Sequence, residues 1–153
     1  MAEDRPGQAS GTGTASGAAG SVTASGPGRA LITVYGIFAL AATSRAGVQL
    51  ATRYHQAPLA YLLSAFSGVV YLVATVALAR RGPGWHRVAT VACTVELAGV
   101  LLVGMLSLVR PGDFAHPTVW SGFGSGYGFV PLVLPVIGLW WLRRTAAAAR
   151  AEG

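Results

Sequence analysis

One acid stands inside the apolar runs of this chain: Glu96, in "VATVACTVELAGVLLVGMLSLV". A carboxylate near the middle of a membrane costs several kcal/mol unless it is paired or protonated, so its presence calls for a reason. Its helical neighbours Ala89, Ala92, Gly99 and Val103 form a mostly small stripe, which faces another helix rather than lipid. The preceding run carries a second such stripe, Ala60, Ser64, Ser67, Tyr71, Ala74 and Leu78, spaced by alternating fours and threes. At about 1.5 Å per residue, Glu96 lies roughly 12 Å from the inner end of its run, and Tyr71 roughly 10–12 Å from the same side. A Tyr71–Glu96 hydrogen bond fits those depths and would hold a neutral, proton-bearing carboxyl. Two chemistries follow. A proton or cation site at Glu96 and Tyr71 needs the titrating proton; a polar clasp that fixes helix packing needs only the hydrogen bond. A clasp should lose roughly 1–2 kcal/mol when Glu96 becomes Leu.

Other reactive side chains form no pattern. His55, His86 and His116 lie in three different connectors, without metal-ligand spacing, so no metal is expected. The single Cys93 sits in an apolar run, which rules out a disulfide framework or a cysteine metal site. No Ser/His/Asp arrangement occurs, and the glycines at 122–128 lack the Lys-Ser or Lys-Thr of a phosphate loop. The expectation is a protein that is not an enzyme and takes no cofactor.

These residues ride on apolar runs. Hydrophobic residues make up 53% of the 153 and charged residues 10%, well below the roughly 25% charged of soluble domains. All 11 cations are arginines, and they punctuate the apolar runs instead of clustering on one face, which suits membrane flanks and not nucleic acid. Absence of lysine beside abundant Ala, Gly, Arg and Val associates with GC-rich bacterial genomes. Four runs, about 30–51, 58–79, 88–109 and 120–142, each approach the roughly 20 residues a helix needs to cross hydrocarbon. Residues 1–29 are mostly Gly, Ala, Ser and Thr and read as a disordered tail, without the compact apolar core of a signal peptide. The fold expected is all-α membrane: a four-transmembrane-helix bundle over 30–144, with that N-terminal tail and a short C-terminal tail at 145–153.

The fourth run, "WSGFGSGYGFVPLVLPVIGLWW", holds the main ambiguity. GYG faintly echoes a potassium-channel filter, but such a loop needs a pore helix before it and a full lining helix after it, and only one run remains. Read as a helix, Gly122 and Gly126 pair four apart, as do Gly124 and Gly128, giving two small-xxx-small faces for close packing alongside Gly99. Pro131 and Pro135 share a face and would kink it. Trp120 and Trp140 then sit about 30 Å apart, one at each interface, as Tyr54, Tyr61 and Trp85 do near other run ends. An irregular outer half is the alternative reading.

Arginine counts set the orientation. Arg5, Arg29, Arg80, Arg81, Arg87, Arg143, Arg144 and Arg150 share the side of both termini, against Arg45, Arg53 and Arg110 opposite. The positive-inside rule puts both termini in the cytoplasm and the chain in the plasma membrane. Arg45 lies off the small stripe of the first run (Thr33, Gly36, Leu40, Thr43, Gly47) and is expected to snorkel to the outer headgroups. The partners expected are the lipid bilayer and other membrane proteins or further copies of the chain, with no nucleic acid.

"APLAYLLSAFSGVVYLVATVALA", "VELAGVLLVGMLSL" and "TVWSGFGSGYGFVPLVLPVIGLWWLRR" resemble a family of small, uncharacterised integral membrane proteins of actinobacteria. The resemblance covers residues from about 43 to 144 and leaves out the N-terminal tail. It implies topology and lineage, and no activity or site residue. The function expected is a non-enzymatic structural or assembly role in the membrane; the alternative is a small transporter or channel coupled to a proton or cation at Glu96.

Overall fold

In the computed structural model, residues 26–53, 55–114 and 116–151 are described. Four helices, α1 (Gly26–Arg53), α2 (Pro58–Ala79), α3 (Pro83–Val109) and α4 (Val130–Ala151), are each long and apolar enough to cross a membrane. They form a four-helix transmembrane bundle, with no strand among the described residues. The disordered tail expected at 1–29 falls mostly outside the described residues; Gly26 to Arg29 belong to α1.

Helix boundaries follow local chemistry. Pro58 and Pro83 open α2 and α3 at first-turn positions, where the missing N–H has no helical partner to lose. Gly82 precedes α3 at φ +114°, a conformation that side chains strain to adopt. Helix α3 therefore starts at 83 rather than near 88. At the other end, the alanine-rich "TAAAARA" continues α4 to Ala151, so 145–151 is helix and not the expected tail.

The inward stripes of α2 and α3 are those the spacing marks. Ala60, Ser64, Ser67, Tyr71, Ala74 and Leu78 are all buried, as are Ala89, Ala92, Glu96 and Val103. The serines donate within their own helix, Ser64 to the Ala60 carbonyl at 2.9 Å and Ser67 to that of Ser64 at 2.8 Å. Helix α1 turns inward a face beside the one expected, although Gly36 and Thr43 of the expected stripe do lie against Thr75 and Gly68 of α2. Leu31, Tyr35, Ala39, Ala42 and Ala46 are buried, while Leu40 is 72% exposed. Thr33 is exposed and donates its hydroxyl to the Arg29 carbonyl at 2.9 Å.

The fourth span departs furthest from expectation. Residues 120–129 are not helical in the α sense: Ser121–Tyr127 is a run of tight turns broken by a kink at Gly122–Gly124, and α4 begins only at Val130. Gly122, Phe123 and Gly124 take left-handed φ of 56°, 58° and 78°. Glycine adopts that region freely and phenylalanine does not, so the strain at Phe123 must be outweighed by contacts elsewhere. Pro131 is the start signal for α4 instead of a kink within a longer helix; further in, it would have removed a backbone bond and clashed with the preceding turn. Gly122, Gly124, Gly126 and Gly128 thus form no helix-packing faces.

Irregular backbone at membrane depth persists only where protein satisfies its polar groups. Here Ser107 on α3 accepts from the Gly122 amide at 2.8 Å, and the Thr118 hydroxyl accepts from the amides of Trp120 and Ser121 at 3.2 and 3.1 Å. Ser121 returns the bond, its hydroxyl accepting from the Thr118 amide at 2.9 Å. Those contacts let the chain re-enter the bundle after α3.

Candidate functional site

The re-entrant segment drives two rings into α3. A Cβ on Gly99 would come within 2.5 Å of the Trp120 indole, and one on Gly104 within 2.5 Å of the Phe123 ring. Both glycines are therefore hollows that the rings fill. Gly99 lies ten residues inside the Val109 end of α3, so Trp120 reaches about 15 Å into the bundle. With 1% exposure Trp120 is a core residue, not the interface anchor expected at the outer surface. Its indole N–H donates to the Tyr71 hydroxyl at 3.1 Å, and Phe66 meets it edge-on at 6.0 Å between centroids. Trp140 does lie at the surface, 51% exposed, with the Arg144 guanidinium 4.4 Å from its ring centroid. Trp85 is similarly exposed beneath Arg80, whereas Tyr61 is buried beside the ring of His116. Tyr54 lies outside the described residues.

Beneath Trp120 sits Glu96, the midpoint of the 27-residue α3 and fully buried. Three helices bring side chains to its surroundings, and the fourth packs against two of those side chains. Helix α1 brings Tyr35, α2 brings Tyr71, and α3 itself brings Cys93, whose sulfur lies 3.3 Å from the Tyr35 hydroxyl. Helix α4 comes close through Gly138, where a Cβ would meet Cys93 Sγ at 3.0 Å and the Tyr35 hydroxyl at 3.3 Å. The tyrosine rings are tilted together at 6.2 Å between centroids. Tyr35 and Tyr71 are thus both near enough to interact with the carboxyl. Neither Glu96 oxygen, however, makes a hydrogen bond of good distance and angle. The expected Tyr71–Glu96 clasp lacks a well-formed hydrogen bond, although Tyr71 only accepts from Trp120 and so keeps its own hydroxyl proton for the carboxyl beside it.

Sequence spacing finds Glu96 and Tyr71 and the depth they share. It misses Tyr35, Cys93, Gly138 and the true place of Trp120. The signal for Tyr35 is its register with Ala39, Ala42 and Ala46, a small inward stripe headed by one aromatic ring. For Gly138 and Trp120 no local signal exists, because their neighbours lie on other elements.

Arg45 does not reach for headgroups. Its guanidinium donates to the Tyr127 hydroxyl and, at 3.0 Å, to the Pro117 carbonyl, tying α1 to both ends of the re-entrant segment. It lines a cavity of about 510 Å³ on that side, where Ser107, Thr118, Ser121 and Ser125 join apolar Leu108, Pro111 and Phe114. A second cavity, of about 540 Å³, opens at the end of the bundle where α1 begins and α4 ends. Glu96 lies in the wall of neither. Among the described residues no group of three His, Cys, Asp or Glu side chains comes together to hold a metal.

Comparison with family models, with curated proteins and with solved structures found no match to this chain.

Proposed function

We propose that this multi-pass membrane protein is a non-enzymatic structural or assembly component of the plasma membrane, with both termini cytoplasmic, in the lineage of the small actinobacterial membrane proteins it resembles. One observation carries the reading: the only acid in the spans is fully buried with Tyr35 and Tyr71 beside it, and it lines neither of the two large cavities. A transport site needs alternating or continuous contact with water. A closed, aromatic-lined centre suits a packing core, and the outward aliphatic faces suit lipid or a neighbouring membrane protein. Purified protein in liposomes should pass protons no faster than empty liposomes, with and without Glu96→Gln. Crosslinking in native membranes should trap a discrete higher-mass species. Proton flux that Glu96→Gln abolishes would overturn the proposal.

A second reading, a proton-coupled site at Glu96 with Tyr71 beside it, is favoured by a specific feature. Both carboxyl oxygens are buried without a well-formed hydrogen bond. Such a group costs stability, and natural cores retain few without a functional reason. The flux assay decides between the two readings.

Orientation rests on the arginine asymmetry. Cysteine labelling of intact cells should modify Gln56→Cys and spare Gly84→Cys, both at exposed positions, while the native Cys93 is buried. The reverse pattern would invert the topology.

A further inference from the structure

The cavity of about 540 Å³ is a wedge between the first turns of α1 and the last turns of α4, closed below by the end of α2. Its size falls within the roughly 300–1,000 Å³ of small-molecule sites. Leu31, Ile32, Leu78, Trp141, Leu142 and Ala146 make its walls, so its interior is almost entirely apolar. Arg80 and Arg87, both exposed, lie among its lining residues, contributed by the end of α2 and the start of α3. No described acid lies on this membrane face: the two within the described residues are Glu96, at mid-bundle, and Asp113, in the connector at the opposite end. An apolar slot opening beside exposed guanidinium groups at a helix-bundle end has the chemistry of one molecule class, an acyl chain that carries an anionic headgroup.

We propose that this wedge binds one anionic phospholipid, an acyl chain lying between α1 and α4 and the phosphate resting on Arg80 and Arg87. Residues 1–25, which join α1 next to the wedge, offer only Val22 as a large aliphatic after Met1, too little to fill apolar walls. A free soluble anion gains nothing from those walls. The lipid satisfies both halves of the site, and bilayer leaflets rich in phosphatidylglycerol present it at the right depth.

The test is native mass spectrometry of the full chain in mild detergent, titrated with phosphatidylglycerol and with phosphatidylcholine of the same acyl chains. One phosphatidylglycerol should be retained about 25-fold more tightly than phosphatidylcholine, from two arginines at about fivefold each. The exposed pair Arg80→Gln and Arg87→Gln should erase that preference while leaving some binding of both lipids. Ala146→Trp fills the wedge without changing charge and should abolish retention of both; Ala146→Leu, a smaller filling, should weaken it if the tryptophan variant fails to fold. Equal retention of the two lipids by the native chain would overturn the proposal. So would unchanged phosphatidylglycerol binding in a folded Ala146→Trp protein, which would place the lipid elsewhere. Deleting residues 1–25 should leave retention unchanged, and a tenfold gain would make the tail the occupant. Millimolar inorganic phosphate should not displace the lipid; displacement would make the site one for a soluble anion.

Discussion

If Trp120 is a core ring seated in a hollow at Gly99, the two positions must be energetically coupled. A Cβ at Gly99 would lie 2.5 Å from Cζ3 of the indole and 2.8 Å from two further ring carbons. The neighbour in the way is a rigid ring held by a hydrogen bond to Tyr71, so it cannot swing aside cheaply. Gly99→Ala should therefore cost about 1–3 kcal/mol, the range for overpacking a core. Trp120→Ala removes the ring and the donor to Tyr71 and should cost about 3–5 kcal/mol. With the ring gone, the Gly99 methyl enters empty space, so the second substitution should add nothing or recover a little. The cycle should then show a coupling of about 1–3 kcal/mol. Reversible unfolding of the four proteins by SDS in mixed micelles, followed by far-ultraviolet circular dichroism, gives the four free energies. An indole at the membrane interface would leave Gly99→Ala harmless. Additive effects, or a harmless Gly99→Ala, would refute the re-entrant geometry.

Glu96→Gln should fold like the native chain, and Glu96→Leu should leave stability unchanged or raise it by about 1 kcal/mol, because no well-formed hydrogen bond is lost and a desolvation cost is lifted; a loss of about 1 kcal/mol or more in SDS unfolding would show that the clasp exists. Replacing Arg45 with Met should cost about 1.5–3 kcal/mol for its charged hydrogen bonds and speed amide exchange across residues 116–129, whereas a snorkelling arginine would change neither. Gly124→Ala should be destabilising at φ +78° with Pro131 carbons 2.8 Å away, while Gly126→Leu, with nothing within 4 Å, should be tolerated; equal harm at both in thermal unfolding would restore a helical packing face. Gly138→Ala should perturb the centre by pressing on Cys93 and Tyr35, seen as a shift in near-ultraviolet tyrosine dichroism, and an unchanged spectrum would separate α4 from the site.

Run length and punctuation alone determine that four segments cross the bilayer, and residue size determines which faces of α2 and α3 turn inward. Both are local properties: a helix satisfies its own backbone, and a stripe of Ala, Ser and Gly marks close approach wherever the partner lies. The same logic misleads at α1 and at residues 120–129. Thr33 looks like a packing residue, yet the face of α1 that carries Tyr35, Ala39 and Ala42 is the one buried and Thr33 is exposed. Alternate glycines before Pro131 read equally well as a helix face or as left-handed turns. Hydropathy registers only that the stretch is apolar. What decides between them is supplied from elsewhere in the chain: the Ser107 hydroxyl for a freed amide, the hollows at Gly99 and Gly104 for two rings, and the Arg45 tether. Glu96 was legible because a lone acid in hydrocarbon is costly wherever it sits. Its enclosure by Tyr35, Cys93 and Gly138 was not, because three helices must first pack before those side chains have a common neighbour.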